Sequence, residues 1–481
     1  MLKVLLWGLL GLVCLLLVLL LIAFIKTLLT PKKTAAWQPR RDEKRQGAYS
    51  EKLAAMVRCE TVSRPGESQR EKFLVFHRLL AELFPLVHEK LEKTEIDGSL
   101  LYYWKGESHE RPLVLMAHQD VVPAEGAWQH GHYSGDIDAQ GLIWGRGSAD
   151  DKASLVAILQ AAEELLVQGY TPAQDLYISS SNTEEVGGEG CPKLVAELKR
   201  RGVNPFLVND EGGAIITEPM AGISGNFAMV GILEKGQGNL QILAHSHGGH
   251  ASAPPKNSPI ARLGAFVTDM EKHYPLKSRL SPQTRAMLET LADYGPFHYR
   301  FLFGNLWLFK PLLLKLLPSL SPQAGALLRT TAAFTMQRGS DGMNVLPQEA
   351  SLILNMRYIP HQGMAESNRI IEELAAKYGL RVKELNAYDY CRAVDMDSEA
   401  FRRIRDTIEE IFPGLPLVPY VMTGGTDARH FEEICGCCVR FAPILYGPAQ
   451  MKGMHGLDEC VDGVCLPDAV DYYKALIKRN M

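Results

Sequence analysis

Pro112-Leu-Val-Leu-Met-Ala-His-Gln-Asp120 combines an apolar run with polar residues at its end, and the predicted fold is built around it. Its apolar part, up to Ala117, is short and uninterrupted, which is typical of a strand buried on both faces. The run ends in His118 and Asp120, and functional side chains collect at the carboxyl ends of strands in open α/β sheets. The stretch therefore predicts a buried parallel strand with polar site residues at its end.

Strands and helices alternate on both sides of this stretch. Apolar spacing predicts helices over 71–84, 153–168, 398–411 and 468–478, and strands over 176–180 and 205–209. Such an alternation predicts an α/β unit with a largely parallel sheet that is covered on both faces. We expect this unit to occupy residues 50–233 and to be completed by residues 391–481.

A second, smaller unit is predicted over residues 234–390. Its apolar patterns follow the order strand, helix, strand, strand, helix, strand, over 239–245, 258–273, 330–336, 350–358, 364–378 and 380–385. A β-α-β-β-α-β order is typical of a ferredoxin-like layer. We therefore expect an inserted α+β lid domain.

Residues 279–321 interrupt that order with an apolar, helical insertion. Within it, the segment 301–317 contains Lys310, Pro311 and Lys315, which argue against a second membrane span. Two interpretations stay open: a packed hairpin of helices on the small unit, or an apolar flap near a substrate site or the bilayer surface.

Residues 1–30 are predicted to be a membrane anchor, followed by a polar linker over 31–49. The run from Val4 to Ile25 carries no charge, and about 20 apolar residues span a bilayer as a helix. A cleaved signal peptide is the alternative, but its apolar core would be about 7–15 residues long. The segment that follows, Lys26-Thr-Leu-Leu-Thr-Pro31, is also a poor cleavage site.

Composition sets the remaining limits. The 481 residues include 51 basic and 55 acidic ones, so no basic excess points to a nucleic-acid partner. Nine cysteines are too few for a disulfide scaffold, and their odd number leaves at least one unpaired in a monomer. The cluster Cys435-Gly-Cys-Cys438 is either a zinc knuckle or a reduced structural cluster, and no second Cys/His pair at finger spacing accompanies it.

Five segments rich in His, Asp and Glu lie mostly at the ends of predicted strands. They are 113–120, Gly145-Arg-Gly-Ser-Ala-Asp-Asp-Lys152, Ser181-Asn-Thr-Glu-Glu-Val-Gly-Gly188, Val208-Asn-Asp-Glu-Gly-Gly213 and Met454-His-Gly-Leu-Asp-Glu459. Together they supply two imidazoles and several carboxylates, an N and O ligand set suited to zinc or a similar divalent ion. Because clustered carboxylates raise one another's pKa, a bound pair of cations would stabilise them.

In this order, the five segments resemble the co-catalytic di-zinc metallopeptidase family of aminoacylase, carboxypeptidase S, carnosinase and glutamate carboxypeptidase. The resemblance covers nearly the whole chain after residue 50. Segments 115–123, 249–255 and 305–309 resemble in particular the N-fatty-acyl-amino-acid hydrolase/synthase and membrane-anchored carboxypeptidase S members. The resemblance implies a zinc-peptidase-like catalytic domain and an inserted ferredoxin-like lid domain that also forms a dimer interface.

The resemblance also implies a site with two divalent metal ions, for which the ligands fit zinc best. Its implied metal ligands are a bridging Asp150, with His118 and Asp210 at one ion and Glu185 and His455 at the other. Asp120 would hold the ring of His118, and Glu184 would be the general base. The residues alone do not choose between Glu184 and Glu185, Asp150 and Asp151, or Asp210 and Glu211.

Further roles are implied for residues outside the metal ligands. His250 matches the family's histidine for the oxyanion, which in relatives reaches a partner subunit's site, so a homodimer through the lid is expected. Arg429, with help from Asn344 and Arg357, would grip a substrate carboxylate, since guanidinium groups pair bidentately with carboxylates. His130 and His132 depart from the family pattern and are either solvated loop residues or substrate contacts.

The sequence thus predicts a membrane-anchored hydrolase that cleaves amide bonds in small peptides or N-acyl amino acids. A non-catalytic, membrane-tethered binding protein on the same fold is the alternative, and it predicts the loss of a ligand or of the base, none of which is missing. The side of the membrane stays open: flanking positive charge and the odd cysteine favour the cytoplasm, whereas anchored or secreted relatives favour the outside.

Overall fold

A computed structural model describes residues 2–66 and 70–480 of the chain. Up to residue 234 it contains α1 (Leu2–Leu29), α2 (Glu43–Arg58), α3 (Arg70–Leu83), α4 (Pro85–Lys90), β1 (Glu92–Ile96), β2 (Ser99–Trp104), β3 (Ser108–Met116), β4 (Asp136–Ile137), β5 (Leu142–Trp144), α5 (Lys152–Val167), β6 (Gln174–Ser180), α6 (Gly190–Arg200), β7 (Leu207–Asp210), β8 (Ala214–Thr217) and β9 (Asn226–Glu234).

The middle of the chain contains β10 (Gly236–His245), β11 (Gly249–His250), α7 (Pro259–Lys272), α8 (Pro282–Ala292), α9 (Phe297–Phe303), α10 (Leu306–Leu320), α11 (Pro322–Leu328), β12 (Thr331–Arg338), β13 (Val345–Leu346), β14 (Glu349–Tyr358), α12 (Met364–Lys377) and β15 (Arg381–Tyr388). The last part contains α13 (Glu399–Ile411), β16 (Leu417–Met422), α14 (Ala428–Phe431), β17 (Cys438–Arg440), β18 (Leu445–Tyr446), α15 (Pro448–Gly453), β19 (Cys460–Asp462), a 3-10 turn (Gly463–Cys465) and α16 (Leu466–Arg479).

A ten-stranded mixed sheet forms the larger unit, in the order β1-β2-β6-β3-β7-β17-β9-β8-β18, with β16 paired to β9. The central strands β6, β3, β7 and β17 run parallel, whereas β1 and β2 continue the edge in antiparallel fashion. Helices α2, α5, α13 and α16 cover one face, and α6 and α14 cover the other. The predicted α/β class, with a mainly parallel sheet covered on both faces, is confirmed.

The second sheet has four antiparallel strands in the order β12-β14-β10-β15. Residues along β10 and β14 alternate between buried and half-buried, and the buried set packs against α7 and α12. The order β10, α7, β12, β14, α12, β15 is the β-α-β-β-α-β order expected from the sequence. The chain then returns to the larger sheet, where β16 pairs with β9.

The apolar insertion forms helices, as expected, but its predicted place on the small unit is wrong. Met287, Leu288 and Leu291 of α8 pack against Phe227 of β9 and Val418 of β16, which belong to the larger sheet. The physical reason is that this part of the larger sheet presents apolar side chains that the other helices leave uncovered. The insertion buries them, and α9 and α10 extend the same core to α1.

Helix α1 is long and apolar enough to cross a membrane, although a signal sequence would pass the same test. Most of its side chains are exposed, but Ala23 and Thr27, near its carboxyl end, are buried against the insertion. The Asn305 amide of the insertion donates a hydrogen bond to the Thr27 hydroxyl (3.1 Å). The end of α1 is therefore part of the folded structure.

Candidate active site

Three neighbouring strands deliver most of the candidate side chains to one edge of the larger sheet. Strand β3 lies between β6 and β7 and is parallel to both, so their carboxyl ends meet at the same edge. His118 follows β3, Glu184 and Glu185 follow β6, and Asp210 is the last residue of β7. Asp150 precedes α5, and His455 follows α15.

Asp150 is the centre of the cluster. Its Oδ1 lies 2.9 Å from His118 Nε2, and its Oδ2 lies 3.1 Å from His455 Nε2. His455 Nε2 is also 3.1 Å from Glu185 Oε2. One carboxylate thus faces two imidazoles on its two oxygens, which is the arrangement that a bridging ligand requires.

Asp120 lies behind these side chains and is fully buried. The His118 ring nitrogen Nδ1 is 3.0 Å from the Asp120 carbonyl oxygen and 3.4 Å from its Oδ1. The Asp120 carboxylate also accepts the backbone N–H groups of Glu184 and Glu185, both at 3.1 Å, and the hydroxyl of Ser63 at 2.6 Å. Asp120 therefore orients the His118 ring and, in addition, fixes the turn that carries the two glutamates.

Glu459 is a positioning residue that the sequence analysis missed. Its Oε1 accepts the backbone N–H groups of Gly147, Ala149 and Asp150 at 3.0–3.1 Å, and its Oε2 pairs with Arg146 Nη1 at 2.6 Å. The carboxylate thereby shapes the loop that presents Asp150. Its position four residues after His455 was the only signal in the sequence.

The charges of the cluster fit a bound cation. Burial raises the pKa of Glu185, and its Oε1 is buried without a hydrogen-bond partner. Hydrogen bonds to Asp150 and Glu185 raise the pKa of His455 to about 10, and those to Asp120 and Asp150 outweigh burial and raise the pKa of His118. The imidazoles and the carboxylates thus stabilise each other's charged forms, a role that a divalent ion would take over.

The ligand atoms of His118, Asp150 and Glu185 lie within 4.8 Å of one another, close enough to hold one ion. Among the described residues, Asp210 forms no hydrogen bond or ion pair with these three, although its charge interacts with that of His118. Instead, its two carboxylate oxygens accept the backbone N–H groups of Glu211 (2.9 Å) and Ala428 (2.8 Å). The structure therefore joins four of the five expected ligands directly and places Asp210 on the neighbouring strand end.

A cavity of about 990 Å³ opens beside the cluster, between the edge of the larger sheet and the small sheet. Glu184, Glu185 and His455 line one side, and Arg357 and Arg429 also face it. The Arg429 guanidinium lies over the Tyr388 ring, 4.9 Å from its centre, and donates to the Thr426 carbonyl oxygen at 3.1 Å. Two arginines and three glutamates, of which Glu432 is the third, thus share one cavity.

His250 and Asn344 do not line this cavity. Both are exposed, and they adjoin the short antiparallel pair of β11 and β13. The His250 Nδ1 is 2.8 Å from the Ser252 hydroxyl, and the Asn344 carbonyl oxygen accepts the N–H of Ala251. Their predicted roles therefore need a surface other than the cavity of their own chain.

The remaining candidates lie outside the site. Cys435, Cys437 and Cys438 are buried and unpaired, as expected of a reduced structural cluster. His130 stacks on Trp144, with 4.6 Å between ring centres, and His132 bonds to the Gly126 carbonyl oxygen. These two histidines belong to a partly exposed loop.

Known proteins are similar to this chain in sequence and in fold. Residues 114–479 match the family model for peptidase family M20/M25/M40. The chain is 32% identical over 479 residues to N-fatty-acyl-amino acid synthase/hydrolase PM20D1 of Xenopus tropicalis, which covers 97% of this chain and 93% of the relative. It is 34% identical over 447 residues to probable carboxypeptidase S-like 2 of Dictyostelium discoideum, covering 90% and 85%.

The fold agrees with solved structures of the same family. The M20 family metallo-carboxypeptidase Sso-CP2 of Sulfolobus solfataricus superposes with a TM-score of 0.68 at 17% identity, over 92% of this chain and 99% of that one. The family match covers more than half of the chain, and it includes all five segments of the candidate site except the first residue of one. The chain therefore belongs to peptidase family M20/M25/M40, and it is a metallopeptidase or amidohydrolase of that family.

Proposed function

We propose that the chain hydrolyses amide bonds next to a free carboxylate, in small peptides or N-acyl amino acids. One observation carries this proposal: Asp150 contacts both imidazoles, and one of them, His455, lines a cavity that also holds two arginines. Relatives named as carboxypeptidases and as N-fatty-acyl-amino acid hydrolases support the same reaction class.

His118, Asp150, Glu185, Asp210 and His455 would hold two divalent ions, for which zinc is the expected metal. Bound ions of this kind supply Lewis acidity, which lowers the pKa of water and polarises a carbonyl group. Glu184 lies at the cavity wall beside these ligands, and burial raises the pKa of its carboxyl group. As general base it would take a proton from the attacking water and pass it to the leaving amine.

The anchor is part of the proposal. Helix α1 would remain attached as a single membrane span, because Ala23 and Thr27 are buried and Lys26 Nζ donates to the Gly304 carbonyl oxygen at 2.8 Å. A cleaved signal peptide would not be expected to form part of the folded core. The proposed location is therefore a membrane surface, with the side left open.

The lid would form a homodimer that completes the site. His250 and Asn344 are exposed on the β11–β13 pair, away from the cavity of their own chain. An oxyanion donor acts only where it reaches the reacting carbonyl. We infer that His250 acts in the cavity of a second copy.

Glu184→Gln should lower kcat by about 10²–10⁴-fold, because a positioned general base contributes that factor. Hydrolysis of N-acyl amino acids and dipeptides by the full chain, with metal content measured in parallel, checks this outcome. Glu189→Gln changes an exposed glutamate in the same segment and should have no effect. A Glu184→Gln protein as active as the unchanged one would show that Glu184 is not the base, whereas an unchanged protein that cleaves no amide would support the non-catalytic alternative.

Treatment with 1,10-phenanthroline should abolish the activity and added zinc should restore it.

Arg429→Met should remove the preference of the enzyme for substrates with a free carboxylate. In the unchanged protein, replacing that carboxylate by a carboxamide should cost at least about 30-fold in kcat/KM, since removing one partner of a buried charge pair costs about 2–5 kcal/mol. In the variant, both substrates should react at similar, low rates. Arg392→Met, at an exposed arginine, is the matched control. An unchanged preference in Arg429→Met would assign carboxylate binding elsewhere.

Coexpression of His250→Ala and Glu184→Gln chains should restore activity that neither variant has alone. If each site combines residues of two subunits, one of the two sites in a mixed dimer is complete, so about half of the normal activity per dimer is expected. Two different affinity tags allow the mixed species to be purified and assayed. Mixed dimers without activity would show that His250 does not act across an interface.

A further inference from the structure

We propose that a second, apolar cavity behind Asp150 binds the acyl chain of the substrate. This inference rests on the proposed hydrolase function, and it selects N-acyl amino acids over dipeptides as the substrate class. The cavity has a volume of about 220 Å³ and is separate in its lining from the cavity that contains the arginines.

The polar groups of this cavity are confined to the end next to the metal ligands. They are Asp150, Asp151 and Glu211. The rest of the lining is apolar or aromatic, and consists of Ala149, Ala214, Ile216, Pro219, Met229, Tyr420, Ala442, Tyr446, Met451 and Met454, with Gly212 and Gly213. The Tyr446 hydroxyl donates to the Ala149 carbonyl oxygen at 2.8 Å, so its ring is free to face an apolar ligand.

The predicted metal ligands connect the two cavities. Asp150 lines the apolar cavity, whereas its contact partner His455, together with Glu185, which contacts His455, lines the cavity with the arginines. If the substrate carboxylate binds Arg429 and the amide carbonyl lies at these ligands, the acyl part of the substrate still needs a binding site. The apolar cavity lies next to that carbonyl position.

The size of the cavity suits a chain rather than a single methyl group. An engineered apolar cavity of about 150 Å³ binds benzene, so this larger space accepts more than six carbons. Each methylene that it buries should raise affinity about fourfold. Met451, at its edge, is 48% exposed, so a longer chain has an open way out.

The test compares chain lengths in matched variants of the full protein held in lipid nanodiscs. Ile216→Trp fills the cavity and should lower kcat/KM for N-octanoyl-phenylalanine at least about 10-fold, the effect of removing well-packed carbons from a pocket. The loss for N-acetyl-phenylalanine should be much smaller, since an acetyl group has six fewer methylenes to place in the cavity. Ile260→Trp makes the same exchange at an exposed position and should leave both substrates unaffected.

A second variant keeps the test independent of folding losses. Met229→Ala enlarges the cavity and should move the preference towards chains longer than octanoyl, a gain that a damaged protein cannot produce. Equal losses on both substrates in Ile216→Trp, with no new preference in Met229→Ala, would overturn the acyl site. If no amide is cleaved at all, the hydrolase proposal fails by itself. Calorimetric binding of N-octanoyl- against N-acetyl-phenylalanine then still decides whether the cavity takes the chain.

A different observation leads to a second proposal: we infer that α9 and α10 lie in the bilayer surface beside α1. The uncharged run from Val4 to Ile25 is only just long enough to cross a hydrocarbon layer of about 30 Å at about 1.5 Å per residue. The last turns of this run must therefore lie within the apolar layer. Those turns are the part of α1 that contacts the insertion.

Aromatic and polar contacts fix this arrangement. The Phe24 ring lies 5.6 Å from that of Phe297 and 6.5 Å from that of Phe301, between ring centres. Just beyond the run, Arg300 donates to the carbonyl oxygens of Thr27 and Thr30. Helix α9 is thus held at the depth where the span ends.

The exposed side chains of the insertion are of the types that contact the apolar layer and the headgroups of a bilayer. Leu312, Leu316 and Leu320 of α10 are exposed and, at a spacing of four residues, share one side of the helix. Trp307 is 50% exposed, and tryptophan is enriched at membrane interfaces. Lys310 and Lys315 are exposed on the same helix, where long cationic side chains reach towards lipid headgroups.

Quenching of tryptophan fluorescence by brominated phosphatidylcholine tests this placement in the full chain. In a Trp7→Phe protein, which removes the tryptophan of the span itself, brominated vesicles should still quench fluorescence through Trp307. Adding Trp307→Phe should remove that quenching. Adding Trp128→Phe, which makes the same exchange in a partly exposed loop, should not remove it. Quenching that is equal with and without Trp307 would overturn the proposal. Flotation of the Trp7→Phe protein with vesicles reports independently whether α1 anchors it.

Discussion

Carboxylates are crowded at one edge of the larger sheet, and the surrounding structure has to balance their charge. Asp150 divides its two oxygens between His118 and His455, with Glu185 3.1 Å from the second imidazole. Like charges so close together are unfavourable in a buried setting unless positive groups or N–H donors face each oxygen. Histidine side chains and backbone N–H groups provide such partners in this site. A bound cation would take the place of the histidines' positive charge.

Buried acids that bind backbone N–H groups hold this arrangement together. Asp120 accepts the N–H groups of Glu184 and Glu185, Glu459 accepts that of Asp150, and Asp210 accepts that of Ala428. Hydrogen bonds to charged groups contribute about 1.5–3 kcal/mol each, more than neutral ones. Three pairs of segments from distant parts of the chain are thereby joined through carboxylates, and two of these carboxylates, those of Asp120 and Glu459, are not expected metal ligands.

Sequence patterns could predict the parts of this structure that depend on local periodicity. The strand that ends in His118, the β-α-β-β-α-β order of the lid and the gathering of acids at strand ends all follow from spacing and from the rule that parallel strands share an edge. The role of Glu459 did not, because its partners at Gly147–Asp150 lie about 310 residues away and nothing local marks the contact. The place of the insertion was mispredicted for a related reason: its own apolar residues do not reveal which apolar face they cover.

The place of the insertion also divides the proposed substrate site between two parts of the chain. The cavity with the arginines takes wall residues from β10, β14 and β15 of the small sheet. The apolar cavity takes none of these, and its Met229, Ile216 and Tyr420 instead pack against the core formed by α8, α9 and α10. In the proposed binding mode, the polar and apolar ends of the substrate therefore contact different layers of the structure. The sequence position of the insertion suggests that it covers the small sheet. In that case the apolar wall behind Asp150 would be exposed to water, and that end of the proposed site could not exclude water.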